Sequence, residues 1–172
     1  IHLSLLLLHR PGPQPQRIQR VLKTLALLLS TLGLASCATV GPLPKADLTD
    51  PGWTVWNGQA IWKPRSDRPP LAGDLLIAQH TNGDVLVSFS KSLLPIFTAQ
   101  TAGGSWRIDF VERGRSYSGR GRPPDRFIWF RLPYLIGGAP APKNWEIDAA
   151  GSGEWSITNG RTGETIKLVL DR

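Results

Sequence analysis

Short runs of alternating apolar side chains, separated by turn residues, constrain this chain more than any other feature. Trp106, Ile108 and Phe110 alternate with Arg107 and Asp109, Val85, Val87 and Phe89 do the same, and so do Ile166, Leu168 and Leu170. Successive side chains of a strand point to opposite faces, so such a run buries one face and exposes the other. Asn82-Gly83 is the strongest hairpin signal, suited to a tight turn with positive φ. Strands are expected over residues 53–62, 71–79, 84–90, 93–101 (split by Pro95), 105–110, around Tyr117, and at 145–147, 155–157 and 166–170. Gly58 is expected to mark a bulge or bend in the first. One helix is expected over 125–136: Phe127, Ile128, Leu132, Leu135 and Ile136 fall near helical spacing, Pro133 must kink or split it, and Gly137-Gly138 closes it. Many strands with one helix predict a mainly β (α+β) fold: a curved antiparallel sheet or open half-barrel of eight or nine strands, with one short, Pro-split helix as its lid.

Residues 21–37, VLKTLALLLSTLGLASC, have another character. Arg17, Arg20 and Lys23 precede an apolar run from 25 to 34, and small residues then lead to Cys37, the only cysteine. That order is a secretory leader. At ten residues the run falls short of the roughly 20 that span a bilayer. Leu34-Ala35-Ser36-Cys37 resembles the lipobox of bacterial lipoproteins. The resemblance implies a diacylglyceryl thioether on Cys37, cleavage before it and acylation, by palmitate or a similar chain, of the new N-terminus. The alternatives are ordinary cleavage after Ala38 or a buried free cysteine. Ala38, Thr39 and Val40 follow in place of an inner-membrane-retaining aspartate, which implies the outer membrane, periplasmic face. Two or three acyl chains anchor stably where one is marginal. The expected organisation is a leader at 1–36 (1–16, which lacks a starting methionine, reads as a mis-called start, an unusual start codon or a fragment), a lipidated, proline-rich tether at 37–51 that holds the domain clear of the membrane, and one domain at 52–172.

Charge says little about partners. Of 20 Lys and Arg, Arg10, Arg17, Arg20 and Lys23 precede the cut, so 16 cations against 13 acids leave the mature chain at +3. Nucleic acid is not an expected partner of an exported lipoprotein. No catalytic set stands out. His80 is the one histidine after the leader, and it reads as a solvated strand-end residue. No metal-ligand spacing occurs, and no cofactor is implied. Six arginines crowd into residues 113–131; among them Arg115, Arg120 and Arg122 are candidates for an anionic partner, such as lipid phosphate or an envelope protein. The bland alternative is a solvated loop. Seven Trp and five Phe follow the leader. Most must be core, yet a curved sheet has a concave face that could hold an acyl chain. The candidates for that face are Trp53, Trp62, Phe89, Phe97, Trp106, Phe110, Phe127, Trp129 and Leu132.

Together the lipobox, the WxVxxGxAxW run from Trp53 to Trp62, PPLAGDLLIA, FSKSLLPIFTAQ, WRIDF and YSGRGRPPDRFIWFRLP before GEW resemble the small LolA/LolB-like outer-membrane lipoproteins over residues 52–170. The resemblance implies an antiparallel half-barrel that binds lipid or the acyl chains of lipoproteins in lipoprotein localisation, with no covalent chemistry. It also implies a protruding apolar loop, placed at Leu93-Leu94-Pro95. The other reading is a non-transporting structural or assembly lipoprotein, its concave face filled by its own side chains and its Arg-rich hairpin binding an envelope partner.

Overall fold

The computed structural model describes residues 41–151 and 153–171; the leader, the lipobox and Cys37 lie outside them. The alternating runs become nine strands: β1 (Trp53–Lys63), β2 (Leu71–His80), β3 (Val85–Lys91), β4 (Leu94–Ala102), β5 (Ser105–Phe110), β6 (Arg115–Arg120), β7 (Trp145–Ala149), β8 (Glu154–Asn159) and β9 (Thr165–Leu170). They form one antiparallel sheet in the order β6-β5-β4-β3-β2-β1-β9-β8-β7. The first strand therefore pairs with the last, from Gly58 opposite Leu170 to Lys63 opposite Thr165. The sheet is open, with β6 and β7 as its free edges. Residues 121–144 connect those two edges.

The sheet is strongly curled. Trp62 on β1 and Phe110 on β5 are four strands apart, which is about 19 Å in a flat sheet. Their rings nevertheless stack with centroids 6.3 Å apart. Side chains of one face thus converge into a concave groove, the half-barrel expected from the alternation. The opposite face is polar along Gln59, Asp74, Arg107, Asp109 and Lys167.

Two local expectations need correction. Gly58 marks no bulge: the β1–β2 register runs through it unbroken. Its lack of a side chain serves a close approach instead, since a Cβ there would collide with the Val169 carbonyl of β9. The irregularity lies between β3 and β4, where Phe89 pairs with Phe97 but Ser90 pairs with Pro95. The extra residue, Ile96, is buried. A bulge tolerates the missing N–H of Pro95 inside a central strand.

The helix is shorter than expected. Residues 125–127 are not helical; a 3-10 turn (Ile128–Arg131) runs into α1 (Leu132–Ile136), nine residues in all, with Pro133 in the first turn of α1. Gly138, at φ 87°, ends it. Residues 41–52 do not hang free. Thr81 N donates to Gly52 O and Gln100 Nε2 donates to Pro44 O at 2.7 Å, so this strap lies along the outer face of the sheet. Among the described residues no helix is long and apolar enough to cross a membrane.

Candidate functional site

The concave groove is built from inward positions of five consecutive strands. Trp62 (β1), Leu75 and Ile77 (β2), Val87 and Phe89 (β3), Phe97 and Ala99 (β4), and Trp106 and Ile108 (β5) are all buried, and Phe110 packs at the rim. Into the middle projects Trp129, 2% exposed, from the 3-10 turn. Its ring centroid lies 4.4 Å from Phe97, 5.5 Å from Trp62 and 6.2 Å from Phe89. These edge-to-face and offset geometries suit aromatic quadrupoles. Ile128, Phe130, Leu132 and Leu135 are buried beside it. The helical segment is thus a plug inside the groove, and the void left at its mouth, between Trp62, Leu71, Ile96, Phe110 and Glu112, is about 20 Å³.

Eight of the nine aromatic and leucine candidates meet here. Trp62, Phe89, Phe97, Trp106 and Phe110 form the wall, and Phe127, Trp129 and Leu132 belong to the plug. Trp53 does not join them. It pairs opposite His80 on the outer side, edge-on to that imidazole at 5.1 Å. His80 is not a solvated residue either: it lies under Gly52, 3.5 Å from Asp50, with 19% of its side chain exposed. Phe130, Trp145 and Ile157 were missed as core or plug residues, although the alternation around Trp145 and Trp155 placed those strands; Leu135, on the apolar side of the expected helix, is buried.

The three arginines do not converge. Arg115 and Arg120 stand at opposite ends of β6, five residues or about 16 Å apart, and on opposite faces. Arg122 is paired with Asp125 at 3.2 Å. Arg126, also in the cluster, covers the Phe127 and Tyr117 rings at 4.7 and 5.7 Å. The Arg-rich run is therefore divided among separate local tasks.

One titratable group at the groove had no sequence signal. Glu164, in the β8–β9 turn, accepts a 2.9 Å hydrogen bond from Trp62 Nε1. Burial raises its carboxyl to about 7, against the lowering effect of that bond. Only the fold brings residues 62 and 164 together. Among the described residues no three His, Cys, Asp or Glu are placed to hold a metal ion.

A concavity of about 800 Å³ lies on the outer face, lined by Gln59, Ile61, Asp74, Glu154, Lys167 and Val169 among others. Its open, mixed lining is poorly suited to an alkyl chain, which the aromatic groove matches in chemistry but not in free volume. At the end of the sheet where β3 meets β4, Ser92 and Leu93 both have positive φ, 51° and 68°. Leu93 is 93% exposed and Leu94 is 73% exposed. A leucine held left-handed and bare to solvent has neither conformational nor burial energy in its favour. No protein-family model matches the chain, and no curated protein is significantly similar to it.

Proposed function

We propose that this chain is a LolA/LolB-like lipoprotein, anchored through Cys37 to the periplasmic face of the outer membrane, whose groove takes up the acyl chain of a lipid or lipoprotein when residues 121–144 lift away. The observation that carries this reading is the plug itself. An aromatic wall is covered by one crossover segment and not by a second sheet layer. Among the described residues polar ties from the segment to the sheet and its turns are few: Tyr134 Oη donates to Gly83 O, Gly121 N donates to Gly104 O, and Gly160 N donates to Asn144 O.

The energies make an exchange feasible. Burial of Ile128, Trp129, Phe130, Leu132 and Leu135 is worth about 1.5–3 kcal/mol each, or roughly 7–15 kcal/mol together. An acyl chain burying about 14 methylenes at ~0.8 kcal/mol each offers roughly 11 kcal/mol. The two occupants are matched, as a carrier that must both load and unload requires. The Leu93-Leu94 tip would touch the membrane during transfer. No step involves covalent chemistry.

The closed groove favours a second reading, in which the plug never leaves and the protein is an assembly or structural lipoprotein with an envelope partner. Native mass spectrometry with lipid extraction, on protein exported to the periplasm, separates the two. Bound phospholipid or fatty acid that disappears in a folded Phe97→Asp variant supports uptake. A folded protein that stays lipid-free in the presence of excess lipid leaves the structural reading.

A further inference from the structure

The ends of the sheet differ in charge. The turns after β1, β3, β5 and β8 and the start of β7 all lie at one end, as the registers Lys63–Thr165, Lys91–Leu94, Phe110–Arg115 and Trp145–Asn159 require. Lys63, Arg68, Lys91, Arg115, Lys143 and Arg161 belong to this end, and no acid pairs with any of them among the described residues. Arg65 is there too, bridged to Asp67 at 3.4 Å. Glu112, Glu146 and Glu164 are the other acids of this end, and Glu164 is turned inward to Trp62. The other end mixes Asp47, Asp50, Asp84 and Asp125 with Arg120 and Arg122. Leu93 and Leu94 protrude from the cationic end, with Val111, 54% exposed, in the next turn.

The strap points the same way. It leaves the opposite end at Gly52, passes Gln100 at Pro44, and reaches Thr98 and Asp109 at Pro42 and Leu43. In β4 and β5 the step from Gln100 to Thr98 leads toward the Leu93 end. Four residue steps separate Gly41 from Cys37, and a chain covers at most ~3.5 Å per step.

We infer that the Leu93 end docks on anionic phospholipid: its unpaired cations bind lipid phosphates while Leu93 and Leu94 enter the acyl boundary, and the strap holds this end toward the anchoring bilayer. This deepens the membrane-anchored reading above and rests on it. Charge complementarity selects the surface. A bare apolar tip alone would enter zwitterionic and anionic bilayers alike, whereas each cation near an anionic surface adds attraction. Electrostatic attraction to a lipid surface is also screened by salt.

The test uses the acylated full-length lipoprotein reconstituted in vesicles, so that the anchor keeps it membrane-bound whatever the headgroup. Ser92→Cys supplies the free thiol for an environment-sensitive dye beside an intact Leu93-Leu94 tip, since Cys37 is the only native cysteine. Quenching by lipid-borne bromine is compared between pure phosphatidylcholine and phosphatidylcholine with phosphatidylglycerol. We expect about fivefold or more quenching with the anionic lipid, roughly one cation's contribution, and reversal by high salt or by Arg68→Ser with Lys91→Ser. Equal quenching in both vesicles, or none in either while the protein co-floats, overturns the inference and leaves the anchor standing. Protein that floats with neither vesicle overturns the anchor and the inference together.

Discussion

Replacing Glu164 by glutamine should make the protein more stable at pH 8 and leave it nearly unchanged near pH 5. The carboxyl accepts from Trp62 Nε1, and burial lifts it to about 7 from an ordinary 4.5. A folded-state value above the unfolded one means that the native state holds its proton longer. The associated stability is full below about pH 4.5 and is lost as pH rises through about 7. At ~1.4 kcal/mol per pH unit, the full displacement is worth about 3 kcal/mol. Glutamine keeps an oxygen for the indole N–H and never ionises. Urea unfolding of both proteins, followed by tryptophan fluorescence at pH 5, 6, 7 and 8, should show a gap that opens with pH toward about 3 kcal/mol. A gap of equal size at pH 5 and pH 8 would refute the claim that a buried, ionising Glu164 opposes folding.

Trp129→Ala empties the centre of the aromatic groove and should cost about 3–5 kcal/mol in denaturant unfolding; a loss under ~1 kcal/mol would mean that the plug is not packed. Gly58→Ala drives a methyl into the Val169 carbonyl and should destabilise by about 1–3 kcal/mol, with hydrogen exchange accelerated along the β1–β9 pair. Asp109 is pushed up by burial, but hydrogen bonds from Arg107 and Ser116 and the Arg107 charge outweigh this and hold it below 3.8. Its contribution is present above pH 3.8 and lost on acidification below it, so Asp109→Asn should flatten the acid limb of the stability curve between pH 5 and pH 2.

The strands were legible because alternation is a local property. Trp106, Ile108 and Phe110 point inward for the reason their spacing suggests, and Gly83 takes the positive φ that Asn82-Gly83 announces. What was not legible depends on pairing across the chain. Trp53 shares the Trp-x-x-Trp spacing of β1 with Trp56, yet the two fall on opposite faces because an odd step reverses the face of a strand. Gly58 looked like a bulge signal until β9 was known to pass against it. The Arg-rich run suggested one anionic site because its residues are close in sequence, but β6 carries Arg115 and Arg120 to opposite ends. Glu164 had no signal, as only the β1–β9 register brings it to Trp62.

Under the proposed uptake, the topology would let a rigid sheet give up its plug. Strand β1 pairs with β2 on one side and with β9 on the other, so the middle of the sheet unites the first and last parts of the domain. The plug is fastened to β6 and β7, the two strands with a free edge each. Lifting residues 128–136 would break the Tyr134 Oη–Gly83 O hydrogen bond at the β2–β3 turn and otherwise strain the margins, leaving the central ladder intact. The turns at each end of the segment suit such a movement, with Gly121 at φ 76° after β6 and Gly138 at φ 87° before the proline loop. A plug anchored to the middle of the sheet could not leave without breaking ladder hydrogen bonds. Uptake of an acyl chain would then compete mainly with local side-chain burial, the same kind of energy that the chain itself supplies, and with a few hydrogen bonds of the segment.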